Sequence, residues 1–224
     1  MAQIIRKTDS QIQQDVLREL KWDTRVDETE VGVQVQDGVV TLSGIVSSWA
    51  KKIAAQEAAH RVLGVLDVAN DLDVQGPAIR TDADIAHAVR TALEWDVFVP
   101  HQRIRTTVSH GVVTLEGTAD YWSQREDAQR SIRNLEGVRG IINRIEVKPP
   151  VVPTDRVRHA IEAALERHAE REAKRVTLVV AEGRVTVSGV VGSYGEREAV
   201  VGAIRGTPGV RAVDDKLRIE PFSI

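Results

Sequence analysis

Six histidines, His60, His87, His101, His110, His159 and His168, are the side chains here best suited to hold a metal or move a proton near neutral pH. No two of them form the His-Glu-x-x-His spacing that places a zinc pair on one helix face, and the chain has no Cys to complete a mixed site. The serines lack the context of a nucleophile elbow. The carboxylates are spread along helical and turn segments, where solvated surface is their default. No catalytic residue, metal ligand or cofactor is expected, and an enzyme is not predicted.

The aromatics are a better lead. They make up only 4% of the chain, yet Trp49, Trp122 and Tyr194 fall at one repeated position, and Trp22 and Trp95 at another. Core packing is the competing explanation, because an aromatic supplies a large share of a small core. Trp also suits a membrane interface or a protein contact, where one ring edge stays wet. These five are the candidate interaction residues.

The elements that must position them come from a three-fold repeat. Asp37-Gly38-Val39-Val40-Thr41-Leu42-Ser43-Gly44 returns as His110-Gly111-Val112-Val113-Thr114-Leu115-Glu116-Gly117, and again as Glu182-Gly183-Arg184-Val185-Thr186-Val187-Ser188-Gly189. Each copy opens with apolar residues at helical spacing: Ile12, Val16, Leu17 and Leu20, then Ile85, Val89, Ala92 and Leu93, then Val157, Ile161, Ala164 and Leu165. Thr8-Asp9, Thr81-Asp82 and Thr154-Asp155 offer capping oxygens near the helix starts. Two alternating strands follow, joined at Gly38, Gly111 or Gly183, where the hairpin turn requires positive φ. Gly44, Gly117 and Gly189 share the parity of the buried Val and Leu residues, which predicts close approach of another backbone, expected from a helix. Asn70, Asn143 and Asp215 lie on the same apparently buried parity and need partners, expected from local backbone.

A second helix follows the repeated aromatic and ends at Gly64, Gly137 or Gly209. A third strand is expected over Val65–Val74, Val138–Val147 and Val210–Ile219. In the last copy Gly189-Val190-Val191-Gly192-Ser193-Tyr194-Gly195 could present amides to a phosphate. The other copies replace Gly192 and Gly195 with Ser47 and Ala50, or Asp120 and Ser123, so a plain loop is expected.

The predicted class is α+β: three tandem α-β-β-α-β modules, each a three-stranded mixed sheet with two helices on one face. The boundaries are expected at residues 1–78, 79–150 and 151–224, where Gly76-Pro77, Pro149-Pro150 and Pro153 interrupt regular structure. Net charge is −3, too small to imply nucleic acid. Residues 8–78 carry 12 acids and 6 bases, 81–149 carry 10 and 9, and 154–221 carry 11 and 12. No signal-peptide core precedes the first module, no run is long enough to span a bilayer, and no lipidation motif is present. A cytoplasmic location is expected, peripheral to the inner membrane if lipid is the ligand.

The element order, the Gly-Val-Val-Thr-Leu-x-Gly hairpin and the closing Gly64-Val65…Asn70-Asp71-Leu72 and Gly137-Val138…Asn143-Arg144-Ile145 segments resemble the BON domain (bacterial osmotic-shock and nodulation proteins). The third copy departs with Asp215 in place of Asn. Leu20-Lys21-Trp22-Asp23 and Leu93-Glu94-Trp95-Asp96 resemble its multi-copy, cytoplasmic-type branch; Arg167-His168 stands there in the third copy. The resemblance implies a non-enzymatic interaction protein tied to osmotic stress and the envelope, with a phospholipid surface or a protein as partner. A self-assembling homo-oligomer and a cytoplasmic potassium sensor are the alternatives. Nucleic acid is not expected as a partner.

Overall fold

The computed structural model describes residues 7–76, 80–168 and 176–220. The first module runs α1 (Asp9–Trp22), β1 (Val31–Gln36), β2 (Val39–Val46), α2 (Trp49–His60) and β3 (Asp67–Val74). The second runs α3 (Asp82–Trp95), β4 (Ile104–Ser109), β5 (Val112–Ala119), α4 (Trp122–Ile132) and β6 (Gly140–Val147). The third runs α5 (Thr154–His168), β7 (Val176–Ala181), β8 (Arg184–Val191), α6 (Tyr194–Arg205) and β9 (Ala212–Ile219). Each module has one three-stranded mixed sheet with its hairpin's second strand in the middle. In the first two, the hairpin is antiparallel and the third strand joins parallel to the central one. The expected residues 77–78 of the first boundary lie outside the described residues.

Local chemistry starts α1 and α3 where expected, whereas α5 begins at Thr154 itself, with Val157 N–H donating to Pro153 O. Thr8 Oγ1 accepts from the Gln11 amide while the Thr8 N–H donates to Gln11 Oε1; Thr81 and Asp84 repeat the exchange. Asp9 and Asp82 do something else. Each carboxylate accepts both amides of its hairpin turn, Asp37 and Gly38 at 2.9 and 3.0 Å, His110 and Gly111 at 2.8 and 2.9 Å. The helix start is thereby pinned to the turn. Both residues of each turn have positive φ, as a type I′ turn demands: 52° and 79°, 51° and 77°, 48° and 78°.

Ile12, Val16 and Leu20 of α1, Ala54, Ala55, Ala58 and Ala59 of α2, and Val33, Val40, Leu42 and Leu72 of the sheet form one buried cluster. Both helices therefore cover the same sheet face. The other face carries Thr41, Ser43, Asp71 and Asp73, with Ile45 half exposed. Leu17, expected in the core, lies on the exposed side of α1, because the turn between Val16 and Leu20 presents only one stripe to the sheet.

Two boundaries differ from expectation. Helices α2, α4 and α6 stop at His60, Ile132 and Arg205, before Gly64, Gly137 and Gly209, because successive three-residue turns take over: in the first module Val62 N–H donates to Ala59 O, and Val65 N–H to Val62 O. Gly64, at φ 100°, then redirects the chain. The third strand starts two residues later than expected, leaving Val65, Val138 and Val210 as buried plugs in the preceding turn.

The chain divides into two compact units. One comprises Met1–Gln75, Gly189–Glu198 and Leu217–Ile224; the other comprises Gly76–Ser188 and Ala199–Lys216.

Candidate functional site

Trp49, Trp122 and Tyr194 are the first residues of α2, α4 and α6, and all three are half-buried. Three positions on, one turn along the same helix face, each has a cation over its ring: Lys52 at 6.0 Å, Arg125 at 5.1 Å and Arg197 at 5.9 Å. In the first two modules that cation also reaches the third strand. Lys52 Nζ donates to Leu72 O at 2.6 Å, and Arg125 donates to Ile145 O at 3.1 Å and Asn143 O at 2.8 Å.

The strand answers in kind. Asn70 and Asn143 donate to the backbone oxygens of Lys52 and Arg125, at 3.0 and 2.9 Å, and to Gln56 and Gln129. Their own oxygens accept from the Leu72 and Ile145 amides. Each polar residue on the core-facing parity is thus a tie between helix and strand, worth about 1 kcal/mol per bond. Asp215 has no amide hydrogens with which to repeat the donation.

The second aromatic pair behaves differently. Trp22 and Trp95 end α1 and α3 at 80% and 85% exposure, so neither ring belongs to a core. The Asp that follows is structural. Asp23 binds Arg25 and Arg61, which hold its carboxyl well below the ordinary range, and Arg61 and Arg25 continue to Glu19 and Glu57. Asp96 accepts from Ser131 Oγ and from the Phe98 amide.

The next residues separate the modules. Where the first has Thr24 and the paired Arg25, the second has Val97 and Phe98, both strongly exposed (86% and 70%), while Val26 and Val99 are buried alike. The second module therefore bears an apolar tip, with Trp95, Val97 and Phe98 all exposed within four residues of one another. Sequence reading flagged Trp95 but missed Val97 and Phe98; comparing the loop with its first copy would have found them. The equivalent Arg167 and His168 side chains lie outside the described residues.

The glycines are scaffold. Gly38, Gly111 and Gly183 occupy the hairpin turns. Gly44, Gly117 and Gly189 have φ of 130°, 135° and 141°. The close approach at Gly44 and Gly117 comes from a helix of the tighter 3-10 kind, the single turns Glu28–Glu30 and His101–Arg103, rather than from an α-helix. A Cβ on either glycine would overlap the carbonyl oxygen of Glu30 or Arg103. The turn must sit there because the strand it feeds pairs in register with Gly44 or Gly117.

Among the histidines, His60 stacks on Tyr194, centroids 3.6 Å apart and planes 5° from parallel, within the first unit. Burial lowers the His60 pKa; Arg197 adds to this and Asp67 opposes it. Burial raises that of the Tyr194 phenol. Among the described residues no three His, Asp or Glu side chains gather as a metal site. The Gly192 amide donates to Glu196 at 2.6 Å, within the segment expected to be a plain loop. No helix among the described residues is long and apolar enough to cross a membrane.

Comparison with known proteins gives three matches to the BON domain model, over residues 8–76, 81–149 and 153–221. The chain is 29% identical over 146 residues to osmotically-inducible protein Y of Escherichia coli (strain K12), covering 62% of this chain and 73% of that protein. Among solved structures it is similar to CdsD, a structural protein of the type III secretion system of Chlamydia trachomatis. Identity there is 14%, with 94% of this chain and 92% of that one covered, at a TM-score of 0.28. The CdsD C-terminal domain matches at 13% identity, covering 99% and 100%, with a TM-score of 0.27.

Proposed function

The chain belongs to the BON domain family, and from that premise we propose that it is a non-enzymatic protein of the osmotic-stress response that attaches to phospholipid surfaces. The observation that carries this is the tip of Trp95, Val97 and Phe98. Three neighbouring large apolar side chains in water are costly, and each gains about 1.5–3 kcal/mol on full burial. Trp at the rim of such a tip suits the headgroup level of a bilayer. Similarity to a protein named for osmotic induction supports the physiological setting.

The tip rests on a firm base: Val99 is buried below it and Asp96 ties the loop to α4 through Ser131. The module's nearly balanced charge makes the expected attachment mainly apolar, so it should weaken little with salt. Flotation with phosphatidylglycerol–phosphatidylethanolamine vesicles tests the reading. The wild type should rise with the vesicles, and Trp95→Ala/Phe98→Ala should lose about tenfold or more in partitioning with an unchanged melting temperature. A double variant that floats like the wild type, or a wild type that binds no vesicle, defeats it.

A further inference from the structure

Among the described residues, Trp122 differs from its two counterparts in the cations around it. Trp49 and Tyr194 have Lys52 and Arg197 from their own helices. Trp122 has Arg125 at 5.1 Å and also Arg205, from the end of α6, at 5.3 Å. Beside them is a cleft of about 390 Å³ lined by α4, the end of β6 and the start of β9, with Arg125, Lys148 and Arg211 on its wall. Trp122, Arg125, Arg205 and Arg211 all lie in the second unit.

The charge there is unbalanced. Glu146, the acid on the wall, is held by Lys148 at 2.9 Å. Arg125 spends its hydrogen bonds on carbonyls, which carry no net charge, and among the described residues no carboxylate pairs with Arg125, Arg205 or Arg211. Arginines brought together without counter-charge repel one another, and burial adds to the cost. Arg125 shows it: burial first and the Arg205 charge second lower its pKa, with Glu126 offsetting only part. Donors are also in excess. Arg205 Nε and Trp122 Nε1 are buried without a hydrogen-bond acceptor among the described residues, where buried polar groups are normally satisfied.

We propose that the cleft between α4, β6 and the start of β9 binds a phosphate-bearing anion, with Arg125 and Arg211 of its wall, and Arg205 beside the Trp122 ring, supplying the counter-charge and Trp122 forming an apolar wall. The guanidinium fork matches a phosphoryl group, which accepts several charge-assisted hydrogen bonds at once. The volume is enough for a diphosphate or a small phosphate ester. A soluble phosphate compound and a lipid headgroup share this chemistry.

Inorganic pyrophosphate is the probe, titrated calorimetrically into the full chain at low salt. Saturable binding is expected, weakened by about tenfold or more in Arg205→Gln/Arg211→Gln. Among the described residues neither of those side chains holds a carboxylate or strand carbonyl, so the melting temperature should not fall. Trp95→Ala/Phe98→Ala should bind pyrophosphate as the wild type does, which keeps this site separate from the membrane tip. Absence of saturable binding, or wild-type affinity in the arginine double variant, overturns the proposal. Vesicle flotation with and without pyrophosphate identifies the source. Competition by pyrophosphate, lost in the arginine variant, places a lipid headgroup in the cleft; undiminished flotation alongside calorimetric binding assigns it a soluble ligand.

Discussion

At Gly117 an added methyl group would overlap the Arg103 carbonyl oxygen, and φ there is 135°. Gly117→Ala is therefore expected to destabilise the second module by about 2–4 kcal/mol, read as a lower denaturant midpoint. Gly202, in α6 with nothing near its missing Cβ, should respond the other way: Gly202→Ala gains roughly 0.4–1 kcal/mol. If both changes shifted the midpoint alike, the steric account would fail. Strand parity alone marked Gly117 as a point of close approach. It did not show what approached, because the turn at His101–Arg103 has no periodicity and shows itself only once β4 and β5 are in register. The same limit applied to Asn143. Its parity announced a buried polar group in need of partners, but Gln129 and the Arg125 backbone are contributed by another element.

The unit of construction at the next scale is the helix start bound to a hairpin turn. Asp82 accepts the Gly111 and His110 amides, and those bonds hold its carboxyl below the usual range. A carboxyl depressed by folding contributes stability that is present above its unfolded value of about 3.9 and lost as pH falls through the folded value. Wild-type protein should therefore lose stability below about pH 4 partly through Asp82, and Asp82→Asn should show a shallower acid limb while being less stable at neutral pH. Equal acid slopes in the melting temperatures of the two would refute this. Element types and order were legible in the sequence, since the helices keep a 3.6-residue stripe and the strands alternate. Their ends were less so. The turn from Ala59 to Val65 continues the helical hydrophobic pattern while its hydrogen bonds have already tightened, and only backbone geometry separates the two.

For the molecule as a whole, chemistry comes from residues far apart in sequence, and so does a pH response. His60 and Tyr194 stack although 134 positions separate them. Burial lowers the His60 pKa, Asp67 opposes that and Arg197 adds to it, while burial and then Glu198 raise the phenol pKa of Tyr194. A histidine with a lowered folded pKa contributes stability present above its unfolded value of about 6.5 and lost as pH drops from there towards the folded value. Melting temperature should thus decline as pH falls below about 6.5, and His60→Phe, which keeps a ring in the stack, should abolish that decline. An identical profile in the variant would rule out His60 as the cause. The sequence by itself determined the three-fold repeat, the hairpin turns, the helix stripes and the capping residues of α1 and α3, because each depends on neighbours a few positions away. Tertiary structure alone decided which aromatics are wet. Trp22 and Trp49 look alike as letters, yet one leaves its helix into solvent and the other starts a helix against a strand. It alone also gathered Trp122, Arg125, Arg205 and Arg211, since exposure and electrostatic environment are set by groups that no local pattern connects.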